Sequence, residues 1–228
     1  MTKIDKVFKN QLGIFRPDQF EEFGVTIIGC GSLGSFMAIT LAKMGVTEFE
    51  LWDPDTIEEH NLTTQFFDKS ALKKSKASVV RDLIIAQSPY IEADLRITTH
   101  KQRFDADSQV TTPIVITCPD NITTREVVYD VAKNSEHVKL MIDLRMGGIV
   151  FKIFTIDLTS NTTWYEETLH SEEDADRGPC TEKGIIFNVL GCCSFAASQL
   201  KKIFKNEPYD KELNFGYDTM EVMRITHS

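Results

Sequence analysis

Val25-Thr26-Ile27-Ile28-Gly29-Cys30-Gly31-Ser32-Leu33-Gly34 is the stretch whose reading decides the fold. Four β-branched residues in succession favour extended backbone, because their χ1 freedom is already restricted. The spacing G-x-G-x-x-G then breaks the run, and residues 35–43 are apolar at helical period. Strand, glycine turn and helix in that order give the motif its meaning. Glycines let the backbone approach a phosphate, and the first N–H groups of the helix face it.

Working outward, residues 48–52 read as a second strand, stopped by Asp53-Pro54-Asp55. Asp53 stands about 20 residues past the glycines, where a carboxylate reaches the ribose hydroxyls of a nucleotide. Gly29, Gly31, Gly34 and Asp53 are therefore candidate nucleotide-binding residues, and taken alone they favour NAD. A loop runs to about residue 69. A helix is expected over 73–87, with Val79, Val80, Leu83 and Ile84 on its apolar stripe, followed by a strand over 91–98. Ile114-Val115-Ile116-Thr117 is a run of the fully buried type. After Cys118-Pro119-Asp120-Asn121 come a helix over 123–134, strands over 140–144 and 148–157, a buried helix over 185–204 and an edge strand over 213–223. This alternation predicts an α/β fold: Rossmann-like, with a mostly parallel central sheet flanked by helices and C-terminal antiparallel edge strands. Residues 1–228 are expected to form a single domain, and 158–184, charged and without periodicity, a mobile crossover loop.

The 228 residues suffice for one large core, and 42% apolar with 26% charged residues is ordinary for a folded globular chain. A formal charge of −9 opposes phosphate-backbone binding, so a nucleic-acid partner is not expected. No run approaches the ~18 apolar residues of a membrane span, and Met1-Thr2-Lys3-Ile4-Asp5 lacks the layout of a secretory signal, so the cytoplasm is the expected location. The five cysteines form no C-x-x-C pair, which argues against a disulfide framework and a tetrahedral zinc site.

The loop after Asp53 redirects the nucleotide reading. Asp53-Pro54-Asp55-Thr56-Ile57-Glu58-Glu59-His60-Asn61-Leu62-Thr63-Thr64-Gln65 resembles the D-x-D-x-[VI]-x-x-x-N-L-x-R-Q signature of the ThiF/MoeB family, the activating enzymes of ubiquitin and of sulfur-carrier proteins. Lys73-Lys74-Ser75-Lys76-Ala77 follows in the order the family has it, and Cys118-Pro119-Asp120-Asn121 with Arg125 is similar to its C-T-D-N-x-x-x-R. Weaker matches are Arg145-Met146-Gly147-Gly148, Tyr217-Asp218-Thr219-Met220, and Cys180 in a C-x-E-x-G context.

The resemblance implies an adenylyltransferase that uses ATP with Mg²⁺ to activate the C-terminal carboxylate of a small ubiquitin-like or sulfur-carrier protein, or a peptide. It implies phosphate contacts from Lys76, a Mg·ATP role for Asp120, and nucleotide contacts from Asp55, Asn61, Gln65, Asn121 and Arg125. In some members a thioester or acyl disulfide follows at the cysteine that Cys180 matches. It also implies a homodimer in which residues 1–24 contact the partner protomer. Adenylylation brings a carboxylate to a triphosphate, so cationic groups must offset the charge where it develops. The chain departs from the family pattern at Asn10-Gln11, where an arginine precedes the glutamine, and at Thr64, which replaces the loop arginine. The family's zinc-binding cysteine pairs are missing, and no structural zinc is expected. Three other readings stand beside this one: a peptide- or tRNA-modifying adenylating enzyme, an NAD-dependent oxidoreductase, and a non-catalytic subunit of a heterodimeric activating enzyme.

Overall fold

In the computed structural model, which describes residues 3–20, 23–169 and 184–227, the Val25–Ile28 run forms β1, the middle one of five parallel strands. It lies in an eight-stranded sheet of order β3-β2-β1-β4-β5-β6-β7-β8. β2 (Glu48–Trp52), β3 (Arg96–His100), β4 (Ile114–Thr117) and β5 (Leu140–Gly147) join β1 in parallel. β6 (Val150–Asp157), β7 (Glu212–Gly216) and β8 (Glu221–Ile225) extend it antiparallel. The α/β, Rossmann-like architecture with antiparallel C-terminal strands is as the sequence predicts. Strand order reverses between β1 and β4, which opens a crevice at their carboxyl ends.

β1 and β4 are buried along their whole length, and side chains alternate between two cores. Ile27, Leu51, Ile116 and Ile142 face one core, which contains residues of α2 (Ser32–Met44), α3 (Lys76–Gln87) and α6 (Ile186–Phe204). Ile28, Trp52, Val115 and Met141 face the other, with residues of α4 (Ile122–Lys133) and α5 (Thr163–Glu166). Each such aliphatic side chain contributes roughly 1.5–3 kcal/mol on full burial. α1 (Lys3–Val7) precedes an N-terminal segment that packs on its own chain, with Phe20 4.7 Å from Phe204 between ring centres. No described helix is long and apolar enough to cross a membrane.

Among the boundaries that differ from expectation, three have a local cause. The strand expected over 91–98 begins later: Glu92–Asp94 form a 3-10 turn, and β3 occupies Arg96–His100. The helix expected from 73 begins at Lys76, because Ser75 caps it by accepting from Ser78 N, and Lys73 has φ 68°. The edge strand expected over 213–223 is a hairpin, β7–β8, that turns through Met220 at φ 55°. Within 158–184, α5 buries Trp164 and Tyr165, while residues 170–183, Cys180 among them, lie outside the described part.

Candidate active site

The site is built at the carboxyl edge of β1, β2 and β4. Gly29 leaves β1 with φ +90°, and a Cβ there would stand 2.8 Å from the carbonyl oxygen of Cys118, so the turns after β1 and β4 pass backbone against backbone. Gly34, in the first turn of α2, lies closer still: its Cβ would be 1.8 Å from the Gly29 carbonyl oxygen. Gly31 is the N-cap of α2, and a Cβ there would meet only the Gln65 amide, in ordinary contact at 3.7 Å. The α2 N-terminus thus keeps backbone donors and the positive end of its dipole at an open position, a cradle that a Cβ would fill.

Asp53, nine-tenths and more buried, accepts from Cys30 N at 2.7 Å and from Asp55 N at 2.8 Å. Burial raises its pKa, against the lowering by the Asp55 N–H, Lys76 and the Cys30 N–H. The carboxylate therefore holds the glycine turn to the end of β2. Asp55 in turn accepts from the Lys76 ammonium at 2.8 Å, with the lysine side chain only 10% exposed and the aspartate 62%. The pair ties the start of α3 to the loop that follows β2.

The loop between them is folded on itself. Asn61 Oδ1 accepts from Glu58 N at 2.9 Å and caps a 3-10 turn over Glu59–Thr63, so its amide shapes the loop. Thr64, which stands where the family has an arginine, lies 3.1 Å from Ser32 Oγ, and Phe66 N donates to Ser35 Oγ at 3.0 Å. These bonds seat the loop on the first turn of α2 and bring Gln65 over Gly31. The buried Gln65 Oε1 has no hydrogen-bond partner among the described residues, as an acceptor awaiting a ligand would.

On the opposite side of the crevice, Asn121 caps α4 by accepting from Thr124 N at 2.8 Å and donates to the exposed Asp120 at 3.2 Å. Arg125, named with these residues by the sequence, is turned inward. It donates to the buried Asp143 and, at 2.5 Å, to the carbonyl of Pro119. Burial and the neighbouring Arg145 depress its pKa to about 10. Asp143 also accepts from Arg145 Nε at 2.6 Å and from the Tyr165 hydroxyl at 3.0 Å. Sequence reasoning passed over Asp143 and Tyr165. Their signal was a carboxylate inside the apolar run Leu140-Met141-Ile142-Asp143-Leu144, two residues before Arg145 and so on the same strand face.

Gly29, Gly31, Asp53, Asp55, Gln65, Lys76, Asp120 and Asn121 thus lie together at the carboxyl ends of β1, β2 and β4, while Gly34 packs against the Gly29 carbonyl. Asn10 does not join them, nor does Arg16, the arginine six residues on that is the nearest substitute for the one missing there. Pro17 lies against Gly45, at the far end of the 13-residue α2, and that helix separates it from the glycine turn by about 20 Å. The thiols of Cys30, Cys118, Cys192 and Cys193 are buried or nearly so, and burial pushes their pKa values up, that of Cys193 to about 12. They serve as small core side chains.

The residues fit ATP: an open helix N-terminus, a lysine at the rim and a carboxylate beside the turn. Among the described residues no three His, Cys, Asp or Glu side chains converge as a metal site. Asp120 would be the residue to hold a Mg²⁺ ion that arrives with the nucleotide.

Known proteins resemble the chain at two levels. The probable adenylyltransferase/sulfurtransferase MoeZ of Mycobacterium tuberculosis is 31% identical over 126 residues, 53% of this chain and 31% of MoeZ. The sulfur carrier protein ThiS adenylyltransferase of Escherichia coli is 30% identical over 109 residues, 46% of this chain and 42% of that enzyme. Ubiquitin-like modifier-activating enzyme 5 of Caenorhabditis elegans is 27% identical over 134 residues, 53% of this chain and 31% of that protein. The chain spans less than half the length of each. Among solved structures, PaaA superposes with a TM-score of 0.78 at 15% identity, covering 99% of this chain and 75% of PaaA. E. coli MccB with ATP superposes with a TM-score of 0.73 at 16% identity, covering 92% of this chain and 65% of MccB. At these identities the superpositions establish a shared fold. The ThiF family profile matches residues 10–226, nearly the whole sequence, and the chain belongs to the ThiF family.

Proposed function

We propose that the chain is an ATP-dependent adenylyltransferase that activates the C-terminal carboxylate of a small ubiquitin-like or sulfur-carrier protein, or of a peptide. The observation that carries this reading is the crevice itself: an open α2 N-terminus at Gly31, with Gln65 above it, the Lys76–Asp55 pair at one rim and the Asp120 turn at the other. The relatives named above as adenylyltransferases support it, as does the ATP complex of MccB. An NAD-dependent oxidoreductase would use Gly29 to Asp53 and leave Lys76, Gln65 and Asp120 without a task.

In this reading a carboxylate oxygen of the acceptor attacks the α-phosphorus of ATP. The bond from that phosphorus to the β-phosphate bridging oxygen breaks, pyrophosphate leaves and an acyl adenylate remains. The chain's contribution is positioning and charge. The α2 N-terminus and Lys76 hold phosphate oxygens, Asp53 orients the ribose, and Asn61 and Asn121 keep their loops in shape. Mg²⁺, held by Asp120 and the phosphates, would offset charge as the pyrophosphate departs. With Asn10 and Thr64 in place of arginines, Lys76 carries a larger share of that task. The reading places the chain in the cytoplasm as a homodimer, with residues 1–24 contacting the partner. The far placement of Arg16, 52% exposed, suits contact with a second chain rather than with its own site. Cys180 would take the acyl group only after adenylylation, so Cys180→Ala should spare adenylate formation and remove any covalent conjugate.

Calorimetric titration of ATP, AMP and NAD into the purified chain, with Mg²⁺ and with EDTA, tests the core of this reading. ATP binding that strengthens with Mg²⁺ and is weakened by Asp120→Ala and Lys76→Ala is expected. NAD binding would favour an oxidoreductase, and the lack of any nucleotide binding a non-catalytic subunit.

A further inference from the structure

We propose that Asp143 is a positioning residue: through Arg125 it fixes the turn that presents Asp120 to the nucleotide. The inference rests on the ATP reading above and adds a part to it. Asp143 is wholly buried on β5, in register with Thr117 at the end of β4. A buried ion cluster is weak support for stability, since well-packed apolar side chains of similar volume often do as well. What an apolar replacement would lose here is direction. One terminal nitrogen of Arg125 donates to Asp143 and the other to the Pro119 carbonyl at 2.5 Å, so a single planar guanidinium ties β5 to the peptide that leads into Asp120. Lysine, a point donor on a flexible stem, cannot hold two acceptors in fixed, divergent directions.

The same turn is held on its other sides by Gly29, whose Cβ position meets the Cys118 carbonyl, and by the Asn121 cap. Cys118 N also donates to the Ile28 carbonyl at 2.8 Å, and Arg125 adds the tie to β5. Asp143 also accepts from Arg145, which reaches on to the Thr168 carbonyl at 2.8 Å, so one carboxylate aligns two guanidinium groups beneath the site.

The test is the ratio of ATP affinity in Mg²⁺ to that in EDTA, measured by calorimetry on the full chain. Asp120→Ala should bring the ratio close to one. Arg125→Lys should lower it by about tenfold, as loss of a group that orients a metal-binding side chain does. AMP affinity in EDTA should stay within about twofold, and in the Asp120→Ala background Arg125→Lys should have no further effect on the ratio. If Arg125→Lys fails to fold, Asp143→Asn, of the same size and with one acceptor retained, should show a smaller fall in the same direction. Tyr165→Phe removes a donor to the same carboxylate without touching the Pro119 link, so it should lower stability and leave the ratio unchanged. A full ratio in Arg125→Lys, or a parallel loss of AMP binding, overturns the positioning role while the ATP reading stands. A parent chain whose ATP binding ignores Mg²⁺ overturns both.

Discussion

A Cβ on Gly34 would sit 1.8 Å from the carbonyl oxygen of Gly29, whereas one on Gly31 would find nothing nearer than the Gln65 amide at 3.7 Å. The two glycines thus separate folding from binding within one motif. In Gly34→Ala the methyl group meets backbone that cannot move without parting α2 from β1, so a loss of roughly 3 kcal/mol or more is expected in urea denaturation. Gly31→Ala has space for its methyl and should change stability by less than about 1 kcal/mol. That methyl occupies the approach to the helix N-terminus, so ATP affinity should fall by more than about tenfold, or 1.4 kcal/mol. Calorimetry beside denaturation decides it. Equal ATP affinity in Gly31→Ala and the parent would mean that phosphate does not rest on this turn.

At the level of elements, the parts legible in the sequence were those with one dominant signal. The β-branched runs at Val25–Ile28 and Ile114–Thr117 are the interior strands β1 and β4 to the residue, because no other local structure suits them and both faces are buried. The elements that shifted depend on partners far along the chain. β3 is set by its pairing with β2, and alternation over 91–98 could not show that Glu92–Asp94 turn first. The β7–β8 hairpin turns at Met220, a residue with no turn signal of its own. In the site, the glycines and Asp53 stand out by spacing and Lys76 only through the resemblance to the family, while Asp143 does not stand out, because its three donors come from α4, β5 and α5. α5 itself is four residues long and cannot persist by propensity. It is held by Trp164 and Tyr165 in the core and by Glu166, which accepts from Lys133 Nζ at 2.5 Å and Tyr129 Oη at 2.9 Å. The Lys133 bond foremost, then that of Tyr129, lowers the Glu166 pKa. A carboxyl lowered in the folded state adds stability above its unfolded pKa of about 4.3, and that stability is lost as pH falls through the lower folded value. Glu166→Gln should therefore be less stable than the parent at pH 7, with the gap closing below about pH 4 and shrinking in high salt. No gap at pH 7 would mean that Trp164 and Tyr165 alone dock the helix.

For the whole molecule, the question is whether the antiparallel end is a unit of its own or part of the nucleotide-binding body. β6 pairs with β5 along its full length, and α6 packs on both α2 and β6, so the sheet and its longest helix cross from one half to the other. The second core likewise joins them, since Trp52 from β2 and Trp164 from α5 belong to it together with Met141 and Ile156. These are the chain's two tryptophans. Each reports on a different region: Trp52 stacks on His100 at 3.7 Å in the parallel half, and Trp164 on His227 at 4.3 Å beside the last strand. Trp52→Phe and Trp164→Phe therefore give two single-tryptophan chains whose fluorescence follows the two ends separately. If one core holds both ends, the two unfold at the same urea midpoint once each is corrected to the parent's stability by circular dichroism, the signature of a single cooperative transition. A Trp164 signal lost at lower urea than Trp52 would mark the antiparallel end as a separate cooperative unit. In that case α6 would be acting as a hinge between the crevice and the hairpin rather than as a shared wall.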